Sequence, residues 1–238
     1  EQIRNVSSAL ARLDVAMSWS YYATIKNANR PQLYDTNIFE IYDGRHPAIE
    51  SLSNSVFIGN DCKLNDKGKN LLWLITGPNM SGKSTFLRQN ALLSIMAQAG
   101  GYVPAKKASI GLLDKLFCRV GASDELAKGR STFMVEMLET AAIMNQATER
   151  SLVILDEVGR GTATFDGMSI AWASIEHLVN IKGCKSIFAT HYHELTGLSS
   201  RFNTIRLHTL RIKEWGEKLV FLHEIISGVA KSSYGIHV

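Results

Sequence analysis

Several things are scarce in this chain of 238 residues. It has only three cysteines, Cys62, Cys118 and Cys184, far apart and in no Cys-x-x-Cys pair. That excludes a zinc knuckle and a disulfide framework, and it fits a reducing, intracellular setting; a bacterial cytoplasm is the default compartment, with nucleus and mitochondrion as the alternatives. No apolar run is long enough for a membrane span, and the N-terminus lacks the charged-then-apolar pattern of a secretion signal. Low-complexity tracts and internal repeats are absent. Charge of one sign is also scarce: 26 Lys and Arg against 22 Asp and Glu leave a net +4. This balance permits a polyanionic partner without requiring one. Lys106, Lys107, Arg211 and Lys213 have no interleaved aromatics, so they read as solvated surface rather than a nucleic-acid track.

What is present is an ordinary globular composition, 45% hydrophobic and 20% charged, enough to bury a core. Ile3, Val6, Leu10, Leu13 and Met17 follow a three-four spacing, which predicts one helix over the first thirty residues, ended by Pro31. Turn residues and alternating apolar positions in YDGRHPAIE (42–50) and NSVFIGNDCKLNDKGKN (54–70) predict short antiparallel strands. Three near-continuous apolar runs follow: LLWLIT (71–76), SLVILDE (151–157) and KSIFATH (185–191). Helical patterns lie between them, from Ser84 to the Gly100-Gly101 pair, from near Ser131 to about Thr148, and from near Asp166 to about Asn180. Apolar strands alternating with helices predict an α/β fold with a largely parallel central sheet flanked by helices and a small antiparallel β region. In such sheets ligands bind beyond the carboxyl ends of the strands, so the three strand endings should meet at one site.

The first ending, Gly77-Pro78-Asn79-Met80-Ser81-Gly82-Lys83-Ser84, fits G-x-x-x-x-G-K-[ST] in full. Backbone N–H groups of such a loop face phosphate oxygens at the start of a helix. Lys83 is expected to reach the β- and γ-phosphates of ATP, and the Ser84 hydroxyl to ligate Mg²⁺, with Thr85 following in the helix. The second ending is four apolar residues and two acids. Asp156 is placed to hold Mg²⁺, and Glu157 to polarise a water for attack on the γ-phosphate. The third ending is Thr190-His191-Tyr192-His193-Glu194. His191 at a strand end can hydrogen-bond the γ-phosphate; a metal site and a plain surface histidine are the rival readings, and for His193 the surface reading prevails. GRGTATFDG (159–167) is too polar for core and sits where a loop could touch a second nucleotide site. Ser131 opens a helix, which suits both an ordinary N-cap and an anion site.

TGPNMSGKSTFLRQ, GRSTFMVEM, LDEVGRGTATFDG and ATHYHEL, in this order, closely resemble the ATPase domain of the MutS family of DNA mismatch-repair proteins, itself of the ABC type. GRHPAIE, GYVPAKKASIG and SSYGIHV are similar to the same family, so the resemblance covers nearly the whole chain. It implies a lever-helix end over 1–31 and an ABC-type P-loop ATPase domain over 32–238. It further implies ATP or ADP with Mg²⁺ as ligands and a face-to-face pairing, as a homodimer, with a second such domain. Ser131 would reach the partner's γ-phosphate, Asn79 would position phosphate or water, and His191 would match the family's switch histidine. Phe57 would stack on adenine with His223 on its other face, and the Gly159–Thr162 loop would carry signals between the paired sites. Ser81 stands where many members have glycine, and GTATFDG replaces the commoner GTSTYDG. A transporter ATPase would carry an L-S-G-G-Q-type signature where STFMVEM stands. The chain shows no Phe-x-Glu element, connector, clamp or C-terminal helix-turn-helix. Mismatched DNA and downstream repair proteins are therefore expected to be partners through parts outside it. The alternatives are a module that binds nucleotide without turnover, and a MutS relative outside repair.

Overall fold

The computed structural model describes residues 1–52, 56–65, 70–78, 81–121, 132–215 and 218–230. The three apolar runs become strands β4 (Leu72–Thr76), β7 (Leu152–Asp156) and β8 (Lys185–Thr190), every residue of each buried. They join β6 (Leu116–Arg119), β9 (Ile205–Trp215) and β10 (Lys218–Ser227) in a six-stranded sheet of order β10-β9-β4-β8-β7-β6. All neighbouring pairs in it are parallel except β9 with β10. A second sheet, of order β1-β5-β2-β3, comprises β1 (Gln32–Tyr34), β2 (Ile38–Gly44), β3 (Asn60–Asn65) and β5 (Lys107–Gly111). Its β2–β3 and β2–β5 pairs are antiparallel, while β1–β5 is parallel. The expected antiparallel region is thus a mixed sheet, and the fold is mixed α/β.

Strand alternation divides the core. Trp73 and Ile75 of β4, with Ile154 and Ile187, pack under α3 (Lys83–Gln98) and the smaller sheet. Leu72 and Leu74, with Val153, Leu155 and Phe188, face Ile143 of α4 (Thr132–Gln146) and Ala171 and Ile175 of α5 (Thr164–His177). Period-two side-chain direction makes both faces of each strand apolar, which is why these strands read as continuous runs. Two short helices, α2 (Ile49–Leu52) and α6 (Leu198–Arg201), complete the set among the described residues. A π-helical turn, Leu178–Lys182, extends α5. Among the described residues no helix is long and apolar enough to cross a membrane.

The first helix is shorter than expected. α1 spans Gln2–Lys26 and closes at Asn27, whose φ is 45°, in the left-handed region. Pro31 does not end it. The chain turns earlier because Asn29 exchanges backbone hydrogen bonds with Val103, and its amide side chain donates to the Ala105 carbonyl. Arg45 caps the helix by donating to the Lys26 and Asn27 carbonyls, and it pairs with Glu50 at 2.8 Å. Trp19 packs against Gly101 near this end. No residue of α1 is buried, and Ile3, Val6, Leu10, Leu13 and Met17 are all exposed. The seam anticipated from their spacing meets no partner among the described residues.

Candidate functional site

Register brings the strand endings together. Thr76 lies opposite Thr190, and Asp156 opposite Ala189. The segments that begin at Gly77, Glu157 and His191 therefore leave the sheet at one edge, as the strand pattern predicts.

The Gly77–Gly82 loop connects β4 to α3; Asn79 and Met80 lie outside the described residues. Gly82 stands at the helix N-cap with φ 110°, and a Cβ there would come 3.1 Å from the His223 Nδ1. That close approach and left-handed backbone explain the glycine. Ser81 Oγ donates to the Pro78 carbonyl at 2.8 Å, so the serine in place of glycine braces the loop. Lys83 is buried, and its ammonium donates to the Gly77 and Pro78 carbonyls at 2.8 and 2.7 Å. Burial lowers its pKa, against the opposing pull of Glu157 and Asp156.

Ser84 Oγ donates to Asp156 Oδ2 at 2.6 Å. The other oxygen, Oδ1, is buried with no hydrogen-bond partner, and burial raises the carboxyl's pKa despite the Ser84 bond. A hydroxyl beside an unpaired buried carboxylate oxygen is a donor set that a hard divalent cation would satisfy. These residues fit Mg²⁺.

Glu157 follows with φ 52°, a backbone conformation uncommon for a residue with a side chain. Its carboxylate accepts from His191 Nε2 and pairs with Arg160 Nη1 at 2.6 Å. The His191 hydrogen bond, over the opposing effect of burial, holds the Glu157 pKa at about 2. His191 and Glu157 are thus in direct contact. His193 lies in the short 3-10 turn His193–Gly197 beyond them.

Phe57 and His223 line one cavity of about 250 Å³ with Asn60, Gly82, Thr85 and Gln89. His223 also has φ 52°, at the register shift of β10 between Phe221 and Ile225. Three bonds hold this bulge. His223 Nδ1 lies 2.8 Å from the Ser81 carbonyl. Asn60, buried on β3, donates to the His223 carbonyl at 2.9 Å and accepts from the Ile225 N–H at 2.7 Å. A larger cleft of about 770 Å³ lies between Arg30–Tyr34 and Ala97–Gly101, away from the strand endings. Its lining carries one charged side chain, Arg30, and no chemistry is assigned to it.

Ser131 lies outside the described residues, and α4 begins at the next residue, Thr132. Of the other expected site residues, Gly77, Pro78, Ser81, Gly82, Lys83, Ser84, Asp156, Glu157 and His191 gather at the sheet edge. Thr85, Phe57 and His223 form the adjoining cavity. Sequence reasoning missed Arg160, Asn60, Glu136 and Tyr192 as individuals. Only Glu136, an acid within the apolar TFMVEM, carried a signal: a charge on a helix face otherwise suited to burial.

The family described as MutS domain V matches residues 73–238. A Zymomonas mobilis protein named DNA mismatch repair protein MutS is 57% identical over 241 residues, covering 100% of this chain and 28% of that protein. The proteins of the same name from Nitrobacter winogradskyi and Rhizobium meliloti are each 54% identical, covering 100% of this chain and 28% and 27% of their own lengths. The chain therefore spans little more than a quarter of these relatives.

Proposed function

Because this chain belongs to the MutS family and carries its domain V region, we propose that it is the ATP-binding and ATP-hydrolysing part of a DNA mismatch-repair protein. In this reading it is an ABC-type P-loop ATPase whose sites are completed by a second such domain, and mismatched DNA is bound elsewhere in the full protein. The observation that most supports it is the Ser84–Asp156 hydrogen bond, with Lys83, Glu157 and His191 at the same sheet edge.

Ser84 and Asp156 would hold Mg²⁺, which when bound neutralises charge between the β- and γ-phosphates. The Gly77–Ser84 backbone, with Asn79 and Met80, would cradle the phosphates. Lys83 would exchange the Gly77 and Pro78 carbonyls for phosphate oxygens. The base would lie between Phe57 and His223. Glu157 would orient a water whose oxygen bonds to the γ-phosphorus as the bridging P–O bond breaks, and would accept the water's proton. His191 would then donate to the γ-phosphate, and Ser131 of the partner domain would close the site.

A second reading also has support. Lys83 is bonded to its own loop, and Glu157 is turned onto His191 and Arg160. A chain held in this arrangement would bind nucleotide and turn it over negligibly until a partner reorganised it.

Steady-state ATP hydrolysis over a range of protein concentrations separates the two, with Glu157→Gln as control. Specific activity that rises with concentration and vanishes in the variant supports the paired ATPase. Flat activity that survives the substitution overturns the role of Glu157. Tight nucleotide binding with no hydrolysis at any concentration supports the binding module.

A further inference from the structure

One glycine beside the site is gripped from three directions. Gly159 lies two residues beyond Glu157. Its N–H donates to Glu136 Oε1 on α4, and its carbonyl accepts from the Tyr192 hydroxyl at 3.1 Å. Gly167 of α5 closes the third side: a Cβ on Gly159, whose φ is 87°, would come 2.4 Å from the Gly167 carbonyl oxygen. The loop also lies on the first turn of α4, where a Cβ on Gly161 would come 3.0 Å from Phe133 Cβ.

The two gripping side chains are not ordinary surface contacts. Glu136 is 5% exposed. Its second oxygen pairs with Arg119 Nη2 at 3.4 Å, at the end of β6, and Arg119 also reaches Glu139 at 3.2 Å. A buried carboxylate is retained only where charge-assisted bonds compensate its desolvation, and the Gly159 N–H supplies one of them. Tyr192 directly follows His191, and its own N–H is fixed to Thr190 Oγ1 at 3.0 Å. The hydroxyl of the residue beside the histidine and the carboxylate of the helix thus hold the two peptide groups that flank the Gly159 Cα. Consecutive Cα atoms are about 3.8 Å apart, so few torsions separate those peptides from the Glu157 side chain.

We infer that Glu136 and Tyr192 are positioning residues that couple α4 to Glu157 and His191 through the backbone of Gly159. The setting of α4 fixes where the Glu157 carboxylate points, and the same bond ties that setting to the histidine. This rests on the reading of Glu157 as the group that orients water. Displacing such a group by about 1 Å is enough to lower a rate on the order of a hundredfold while leaving substrate binding intact. A role confined to holding the fold would instead lower stability and nucleotide affinity together.

The test uses the full-length polypeptide and five proteins: wild type, Glu157→Gln, Tyr192→Phe, Glu136→Gln and Glu136→Ala. ATP hydrolysis gives kcat and KM, a fluorescent ADP analogue gives Kd, and thermal unfolding gives Tm. Tyr192→Phe removes one hydroxyl and keeps the ring. It is expected to lower kcat by about tenfold or more, with the ADP-analogue Kd within about twofold of wild type. Glu136→Gln keeps an acceptor for the Gly159 N–H and is expected to lose less than Glu136→Ala, again in kcat rather than Kd. If Glu157→Gln abolishes hydrolysis while Tyr192→Phe leaves kcat unchanged, the coupling is wrong and the ATPase reading stands. Parallel losses of kcat, Kd and Tm in Tyr192→Phe would also overturn the coupling. If Glu157→Gln hydrolyses ATP like wild type, the reading and the coupling fall together.

Discussion

Replacing Asn60 with alanine should loosen the cavity wall without touching any charged group of the site. Asn60 is 7% exposed and makes three hydrogen bonds: from the Ile225 N–H at 2.7 Å, to the His223 carbonyl at 2.9 Å and to the Ile58 carbonyl at 3.3 Å. Truncation strands the Ile225 N–H and the His223 carbonyl, each worth about 1–3 kcal/mol when left unpaired and buried. Ile225 is half-buried and His223 is exposed, so water partly reaches both, and the expected loss is about 2–3 kcal/mol. For a domain of this size that lowers Tm by roughly 5–10 °C. The functional effect follows from His223, held at φ 52°. A side-chain-bearing residue in that region stores on the order of 1 kcal/mol or more and stays only while its surroundings over-determine it. Without Asn60 the bulge relaxes and His223 shifts in the cavity that it lines with Phe57. Affinity for ADP should then drop about tenfold, equivalent to ~1.4 kcal/mol. Asn60→Asp keeps one acceptor but aims a carboxylate at two carbonyls, so it should fare no better than alanine. Thermal unfolding and equilibrium binding of an ADP analogue measure both effects. A Tm within about 2 °C of wild type, together with unchanged affinity, would refute the claim that Asn60 holds His223 in place.

Three further perturbations follow from the same structure. His208 stacks on Trp73 with ring centroids 3.6 Å apart, and burial lowers its pKa to about 4 from 6.5. The unfolded chain binds that proton more readily, so the stability is fully present above pH 6.5 and is lost as pH falls towards 4. The maximum is ~3 kcal/mol, and His208→Phe should flatten this part of a urea-midpoint-against-pH curve. Gly159→Ala forces a Cβ within 2.4 Å of the Gly167 carbonyl oxygen at φ 87°, and should destabilise by about 3 kcal/mol or more in urea unfolding. Arg45→Ala should speed hydrogen exchange in the last turn of α1 and leave the protection of β4 unchanged; equal losses in both would contradict a local fastening.

The parts of the fold legible in the sequence are those where one physical signal dominates. β4, β7 and β8 are apolar on both faces, and nothing else in the chain produces runs like theirs. The glycines and Lys83 between β4 and α3 are set by a phosphate-binding pattern with few alternatives. β9 escaped notice because Arg206, Arg211 and Lys213 interrupt its apolar residues; it lies between β4 and β10 and has no continuous run. Pro31 is the strongest local breaker and marks the end of α1 in the sequence, yet long-range pairing of Asn29 with Val103 turns the chain at Asn27 first. Asn60 is hidden for the same reason: its bulge partners His223 and Ile225 are more than 160 residues away. Phe57 and His223 are legible only through family resemblance, because no local pattern marks an aromatic just before β3 and a histidine on β10 as lining one cavity.

The fastening of α1 at one end has a mechanical consequence. Its 25 residues extend about 37 Å at 1.5 Å per residue, with Trp19 and the Arg45 cap both near the C-terminal end. A rod clamped only at its base turns angle into displacement. A rotation of about 5° at the clamp sweeps the free end through about 3 Å, comparable to one hydrogen-bond length. Arg45 sits one residue beyond β2, on the small sheet that also carries Asn60 on β3. Sub-ångström adjustments around a bound base could therefore leave the domain as a movement several times larger, with direction set by a single guanidinium.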